Sequence, residues 1–342
     1  MRRTLLPTGN KAPFRGTSVA IRPRETPSLA DNRDVAPLDP RRSWALSLAL
    51  LLGAYAAGVG AVLFAPESSP VATFWPAAAF CTAALALAAP KQWFVLVPLT
   101  FVVGVATNIT GDRSTGVSLG FGLANTTEAV VAGLILTDGL RRRARLLGQD
   151  DVLRLLAAAA AGAAIIGAMA GVVVQLAGTG DFLASLRTTA ASHAAAQVTL
   201  LPVALAVMGQ PRRPVSRELV AQVLVMGALS GLIFWPDNTL IIALPPLVAL
   251  TWAALRLGIR LLTWELAGFA VMVSLLTADG RGPFATAVAD STRDAMAAGA
   301  AAQLYLLCTA IITLPLAVAS LQSQTLLDRV RADELLLSLI HI

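Results

Sequence analysis

Hydrophobic residues occur along this chain in long runs that are separated by short polar segments. Ten runs can be counted, and each is close to the ~20 residues that an α-helix needs to cross the hydrocarbon core of a bilayer. They cover residues 44–64, 72–89, 93–109, 117–136, 155–176, 190–208, 219–235, 240–258, 261–276 and 297–319. The pattern predicts an all-α fold, a polytopic transmembrane helix bundle of about ten spans.

Loop lengths and loop charges refine that count. The gaps at 90–92 and 259–260 are so short that the flanking helices would form tight hairpins, and eight spans remain open if two runs are re-entrant or fused. Ten spans with a cytoplasmic amino terminus place 22 of the 26 Lys and Arg residues on the cytoplasmic side. Because cytoplasmic loops of membrane proteins are enriched in Lys and Arg, this bias predicts that both termini are cytoplasmic. The six tryptophans fall near the ends of runs, which is typical of aromatic belts at the membrane interface.

Composition supports a membrane protein. Hydrophobic residues make up 56% of the chain and charged residues 13%, and the mean hydropathy is +0.71. The net charge of +6 comes mostly from basic residues between the runs, where they orient helices, so we expect no nucleic-acid binding. Residues 1–43 carry nine Lys or Arg residues, several prolines and no long apolar run, which predicts a disordered basic cytoplasmic tail ahead of an integral membrane domain at 44–321.

The fourth run contains the most unusual polar residue of the chain. Glu128 falls near the middle of the predicted span, and Asn125 lies three residues earlier, so both side chains share one helix face. A carboxyl group at this depth is costly unless it is paired, protonated or facing water, which favours a functional site. A purely structural role, as polar contact between helices, is the alternative.

Other polar side chains favour one half of the bilayer. In the predicted orientation, Asn108, Gln175 and His193 lie near the outer ends of their helices, and Asn125, Gln197 and Gln303 lie about two turns deeper. This distribution predicts a vestibule that opens to the outside and narrows to Glu128. His193 is either a pH-sensing group or a hydrogen-bonded structural residue.

Motifs for catalysis or cofactor binding are absent from the sequence. We find no metal-ligand spacing, phosphate-binding Gly-rich loop, nucleotide fingerprint or nucleophile motif, so we expect no catalytic residues, no metal and no cofactor in this chain. The longest outer segment, 277–296, contains Gly280, Gly282, Pro283 and Phe284, and this density of Gly and Pro predicts a defined non-helical turn.

Five short motifs in order along residues 44–321 resemble the bacterial membrane-associated sensor family of the first type, abbreviated MASE. The motifs include Trp75-Pro76 after Phe74, Asn125 to Ala129, Trp252 to Gly258 with Arg256, Gly280 to Phe284, and Gln303-Leu304. The chain also departs from the family, because such domains often carry a Trp and then an Asp about nine residues before the proline of the sixth span. Here His193 precedes Pro202, and no Trp is near.

The resemblance implies a sensory input domain of a signalling protein in the bacterial inner membrane. Such proteins continue into a cytoplasmic output domain, a histidine kinase or a cyclic-di-GMP turnover enzyme, and usually work as homodimers. We expect a small ligand or a partner membrane protein to engage the outer vestibule and the Gly280 to Phe284 loop, with Glu128 and Asn125 as the sensing or coupling centre. The alternative is a proton-coupled secondary transporter of small molecules, since a midplane acid in a ten-helix bundle also suits a carrier.

The carboxyl-terminal residues predict the start of an output connection. Residues 322–342 begin as a polar helix with Leu326, Leu327 and Val330 on one side, which indicates a cytoplasmic signalling helix. The last six residues resemble a translated sequencing adapter, so we expect the natural protein to be longer and its output domain to be missing here.

Overall fold

The structure is a computed structural model that describes residues 39–63, 74–207, 216–235, 243–286 and 294–340, and every regular element in these ranges is helical. The helices are α1 (Pro40–Leu63), α2 (Ala77–Ala86), α3 (Trp93–Thr110), α4 (Thr115–Thr137), α5 (Gln149–Leu176), α6 (Phe182–Val207), α7 (Arg217–Phe234), α8 (Leu244–Trp252), α9 (Ile259–Ala278), α10 (Gly282–Thr286) and α11 (Asp294–Ile340). The all-α prediction is confirmed.

Within the described ranges, eight helices are long and apolar enough to cross a membrane, namely α1, α3 to α7, α9 and α11. The second and eighth predicted spans contain only shorter apolar helices, Ala77–Ala86 and Leu244–Leu257. The chain is therefore a multi-pass membrane protein with eight candidate spans, while the count of ten and the cytoplasmic position of both termini stay predictions.

Helix starts differ from the apolar runs where polar residues begin the helix. The predicted tail reaches residue 43, but α1 already begins at Pro40. The sixth run starts at residue 190, whereas α6 begins at Phe182, because the Asp181 carboxylate accepts a hydrogen bond from the backbone N–H of Ala184 at 2.8 Å. A capping carboxylate satisfies an N–H group that the first helical turn leaves without a partner, and hydropathy alone does not detect it.

Several threonine hydroxyls are satisfied within their own helix. Thr100, Thr107, Thr126 and Thr137 each donate to the carbonyl oxygen four residues earlier, at 2.7 to 2.8 Å. Such bonds let a polar side chain enter hydrocarbon without an unpaired donor.

The short helix α2 is buried among longer ones. It packs against α1, α4 and α6, and of its ten residues only Phe80 is not buried. A helix that is apolar on every side and rich in alanine suits a central position, because small side chains let neighbouring backbones approach closely.

Glycines set the distance between α5 and α6. A Cβ atom on Gly167 would lie 2.7 Å from the carbonyl oxygen of Leu186, and one on Gly171 would lie 2.8 Å from that of Phe182. This four-residue spacing is the small-residue packing motif of membrane helices, and it fixes α6 against α5. Since α6 also packs against α2, α9 and α11, it occupies the centre of the bundle.

Two ends of the bundle can be distinguished. At one end, called here the Arg113 end, the segment between α3 and α4 approaches the last turn of α1, because a Cβ on Gly111 would lie 2.4 Å from Val62. At the opposite end, the Ser43 hydroxyl of α1 donates to the side-chain oxygen of Gln92, which precedes α3, at 2.8 Å. The amino terminus of α5 also lies at that opposite end, where a buried Asp151 pairs with Arg142 and accepts the N–H groups of Leu147 and Gly148.

Candidate functional site

Glu128 lies at the centre of a hydrogen-bonded cluster between α4 and α6. Its side chain is 1% exposed. The Oε2 atom lies 2.6 Å from Nδ1 of His193, and Oε1 accepts a hydrogen bond from Nε2 of Gln197 at 2.9 Å. His193 and Gln197 are one turn apart on α6, so both reach the same carboxyl group. We call these three residues the Glu128 cluster.

The short contact between Glu128 and His193 requires a proton. Two bare acceptors would repel each other at 2.6 Å, so either the ring nitrogen or the carboxyl group carries a hydrogen. A carboxylate that accepts one bond on each oxygen is the arrangement in which a buried acid is tolerated.

The amide of Gln197 is only partly satisfied within the cluster. Its Nε2 donates to Glu128, while its Oε1 is buried without a hydrogen-bond partner. This oxygen can accept a hydrogen bond from any donor that reaches the cluster.

Asn125 and Trp75 extend the cluster toward the Arg113 end. The indole Nε1 of Trp75 donates to Oδ1 of Asn125 at 3.0 Å, and Asn125 donates through Nδ2 to the carbonyl oxygen of Phe121 at 2.7 Å. The Trp75 ring also stacks on His193, with ring centroids 6.1 Å apart and planes 14° apart. Trp75 thus contacts both predicted centres, Asn125 and His193.

The belt interpretation of Trp75 is wrong. Its side chain is 6% exposed, whereas Trp235 at the end of α7 is 65% exposed, as an interface residue would be. Both tryptophans lie near the end of an apolar run, so the sequence does not tell them apart. In the structure Trp75 is distinguished by its hydrogen bond to the buried Asn125.

The helix α5 contributes a wall that sequence reasoning missed. A Cβ atom on Gly162 would lie 3.1 Å from Nε2 of Gln197 and 3.1 Å from Cγ of Glu128. The position therefore has room for a glycine and little more. In the sequence Gly162 is one small residue within an Ala-rich run, which gives no signal of contact with an acid.

A small polar pocket with a volume of about 20 Å³ lies near the Arg113 end, and Glu128 is not part of its described lining, so the vestibule that narrows to Glu128 stays a prediction. The polar lining of the pocket consists of Asn108, Arg113, Asn125, Thr189, Ser192 and His193. The aromatic rings of Trp75 and Phe121 complete the walls. We call this cavity the Thr189 pocket. Gln175, which was expected in the vestibule, is exposed on α5, and Gln303 is buried on α11 and is not part of the described lining.

The Gly280 to Phe284 motif forms a turn and a short helix. Gly280 and Gly282 have φ angles of +77° and +80°, which favour glycine. The expectation of a wholly non-helical turn is wrong, because Gly282–Thr286 form α10. Pro283 is buried, and the ring of Phe284 packs within 6 Å of Phe234 and Tyr305 in an aromatic cluster.

The Trp252 and Arg256 motif closes a second polar contact at the opposite end. The helix α8 continues as a π-helix, Ala253–Leu257, before Gly258. Glu218 of α7 accepts hydrogen bonds from Trp252 Nε1 at 3.2 Å and from Arg256 Nε at 2.9 Å. Sequence reasoning missed Glu218, because an acid in the first turn of a helix is ordinary.

The motif around Pro76 also borders a large apolar groove. The groove has a volume of about 800 Å³ and lies between α1, α2, α6 and α9, with Phe74 and Pro76 in its lining. Trp75, between these two residues, lines the Thr189 pocket instead. The Phe74 to Pro76 segment therefore separates an apolar surface from the polar site.

Among the described residues, no group of three or more His, Cys, Asp or Glu side chains is placed to hold a metal ion. The fold and the site together define a multi-pass helical membrane protein with a buried acid–imidazole pair. A comparison with protein-family models matches residues 44–325 to MASE1, a membrane sensor domain that is typical as the input domain of signalling proteins. The chain belongs to the MASE1 family, as the sequence motifs predicted. Neither the curated proteins nor the solved structures contain a match to this chain.

Proposed function

We propose that this chain is the sensory input domain of a signalling protein in the bacterial inner membrane, and that the Glu128 cluster couples events at the Arg113 end to α11. Family membership supports the sensor over the proton-coupled carrier. The proposed coupling rests on the position of α11. The first part of this helix packs against the bundle core, and its last part extends beyond the core.

The length of α11 exceeds what a membrane span needs. Its 47 residues would measure about 70 Å, compared with a hydrocarbon core of about 30 Å. Residues 326–334 are all exposed, including Leu326, Leu327 and Val330. A helix that leaves the bundle without interruption can transmit a shift or a rotation to a following domain.

Two contacts hold α11 where it leaves the bundle. The Gln149 side chain of α5 donates to the carbonyl oxygen of Pro315 at 2.8 Å. The Ser320 hydroxyl donates to the carbonyl oxygen of Leu255, in the π-helix that follows α8, at 2.9 Å. Each contact is a single hydrogen bond, which a displacement of α11 by about 1 Å would break.

The helices α5 and α6 connect the Glu128 cluster to α11. The cluster residues His193 and Gln197 belong to α6, which packs against α11, and Gly162 belongs to α5, whose first residue contacts Pro315. A ligand would shift the bundle only to the extent that it binds one packing better than the other.

We also propose an orientation, an output domain and a site of ligand action for this chain. The loop arginines favour cytoplasmic termini, with the Arg113 end outside, and family membership favours a kinase or a cyclic-di-GMP enzyme as the output domain. A small ligand or a partner membrane protein would act at the Arg113 end and at the Gly280 to Phe284 loop, in a homodimer.

The test begins with the gene. Its sequence is read from codon 320 to the stop codon, and the activity of the encoded output domain is compared between wild type and Glu128→Gln. We expect an in-frame kinase or cyclase whose activity changes in Glu128→Gln. Glu265→Gln, which alters an acid bonded to Gln222 outside the Glu128 cluster, is the matched control. A stop codon near residue 342, or equal activity in all three proteins, would contradict the proposal.

A second measurement follows α11 in this chain itself. Spin labels on the exposed Asp150 and Asp328, both replaced by Cys in a Cys81→Ser, Cys308→Ser background, report the distance between α5 and the end of α11. We expect Glu128→Gln to change the distance distribution and Glu265→Gln to leave it unchanged.

A further inference from the structure

We propose that the Thr189 pocket binds one anionic group, either a small inorganic anion or the carboxylate of an organic ligand. The pocket lies near the Arg113 end, between the segment that joins α3 to α4 and the first half of α6. Three observations point to an anion: two buried hydroxyls without partners, the commitment of the neighbouring amides, and the charge of the lining.

The hydroxyls of Thr189 and Ser192 are buried and have no hydrogen-bond partner. Both line the pocket, and both lie on the face of α6 that carries His193. Elsewhere on α6, Thr188 and Thr199 donate to the carbonyl oxygen four residues earlier, as hydroxyls in membrane helices usually do. Because Thr189 and Ser192 do not, their donors remain for a molecule in the pocket.

The two amides of the pocket are already engaged. Asn108 donates through Nδ2 to the carbonyl oxygen of Gly104 at 2.7 Å and accepts from Arg113 at 2.6 Å. Asn125 donates to Phe121 and accepts from Trp75, as described above. Each amide therefore has one donor and one acceptor engaged within the protein, whereas the two hydroxyls have no partner at all.

The charge of the lining favours an anion over a cation. Arg113 contributes a guanidinium group that lies over the Phe121 ring, 4.8 Å from its centroid. The guanidinium also has a further interaction within the protein, so a bound anion would share its five N–H donors. A guanidinium with two hydroxyls in a partly buried site is a donor set that suits a carboxylate or a halide.

The volume limits what can enter. About 20 Å³ has room for one or two water-sized groups, so a halide or a single carboxylate fits, whereas a whole metabolite does not. The rest of an organic ligand would have to extend past Arg113, toward the exposed residues of the segment between α3 and α4.

Binding would act on the Glu128 cluster through His193. The imidazole ring lines the pocket while its Nδ1 contacts Glu128, so a group bound in the pocket lies against the ring that holds the carboxyl group. This step, which rests on the proposed function, would pass a change in the pocket to the Glu128 cluster through the position of the His193 ring.

The experiment measures thermal unfolding of the purified 342-residue chain in detergent. Sodium formate, sodium acetate and sodium chloride are titrated separately, at constant ionic strength balanced with a bulky sulfonate salt. We expect a saturable rise of the unfolding midpoint with at least one of these anions. The double variant Thr189→Val, Ser192→Ala, and Arg113→Gln separately, should each weaken the apparent affinity by about tenfold or more.

Matched controls separate this site from general effects of salt. Thr188→Val removes a neighbouring hydroxyl that is bonded within α6, and Arg187→Gln removes an exposed arginine near the start of the same helix. Both should keep the wild-type affinity within about twofold. An effect of chloride alone would identify an inorganic anion, and an effect of formate or acetate alone a carboxylate, and either supports the proposal.

Two results would overturn it. If none of the three anions gives a saturable shift, the pocket holds water only. If the double variant responds like Thr188→Val, the anion binds elsewhere. Neither result affects the Glu128→Gln comparison of the proposed function, because that comparison contains no added anion.

Discussion

Replacing Glu128 by Ala or by Gln separates the hydrogen bonds of the Glu128 cluster from its charge. Ala leaves Nδ1 of His193 and Nε2 of Gln197 without their partner in a site where the acid is 1% exposed. Gln keeps both bonds, since its oxygen still accepts from Gln197 and its amide group donates to a His193 ring that carries its proton on Nε2.

The magnitudes follow from these bonds. An interhelical hydrogen bond in a membrane protein contributes about 0.6 to 2 kcal/mol, and Ala removes two of them and leaves a cavity as well. We therefore expect Glu128→Ala to lower the free energy of unfolding by about 2–4 kcal/mol. For Glu128→Gln we expect a loss of less than about 1.5 kcal/mol, because the desolvation of a charge is relieved at the same time.

The assay is unfolding by sodium dodecyl sulfate in mixed micelles, followed by tryptophan fluorescence. Trp75 reports directly, because its ring stacks on His193. If Glu128→Ala is as stable as Glu128→Gln, the two hydrogen bonds contribute nothing, and the cluster described here does not hold α4 against α6.

Three further predictions use the same assay. Gly162→Ala should lower the free energy of unfolding by about 0–2 kcal/mol, because the crowded Cβ offsets the gain in helix propensity. Gly227→Ala is the control and should not lower it, because its Cβ meets open space. Equal effects of the two substitutions would contradict the close contact of Gly162 with Glu128 and Gln197. Gly282→Ala should destabilise the protein more than Gly280→Ala. Both substitutions place a side chain at a positive φ, +80° and +77° respectively, but only the Cβ at 282 meets a backbone oxygen, at 3.1 Å. Asp151→Ala should cost about 3–5 kcal/mol, because it breaks a buried ion pair and two backbone contacts, whereas the exposed aspartate one position earlier should tolerate Ala within about 0.5 kcal/mol.

Hydropathy and helical spacing were sufficient for much of this architecture. Eight of the ten apolar runs correspond to the eight candidate spans, and the placement of Asn125 and Glu128 on one face of α4 needs only the helical period. The meeting of Glu128 with His193 and Gln197 depends on which helices are neighbours, and no local pattern encodes that. In the sequence these residues share only their predicted depth in the outer half of the bilayer or near its middle, and Gln175, which is exposed on α5, shares that property.

The roles of Gly162, Trp75, Thr189 and Ser192 depend on a missing side chain, on a missing hydrogen bond or on a partner far along the chain, so the sequence did not reveal them. Gly162 matters because it has no side chain, and its neighbours belong to α4 and α6. Trp75 differs from an interface tryptophan only by its bond to Asn125, fifty positions away. Thr189 and Ser192 share with Thr82, Ser230 and Thr277 a buried hydroxyl that lacks a partner, and they differ from those three by lining the Thr189 pocket. None of these properties changes the composition or the period of a segment.

The uninterrupted course of α11 has a geometric consequence for anything joined to its end. From Ser320 to Leu336 the helix would advance about 24 Å, so a tilt of about 10° at Ser320 moves the far end sideways by about 4 Å. Each residue also turns the helix by about 100°, so one inserted residue near Asp328 would turn a following domain to a different face, and seven would nearly restore it. The helix therefore sets both the distance and the orientation of a following domain. Inserting seven residues changes mainly the distance, whereas inserting one residue changes mainly the orientation.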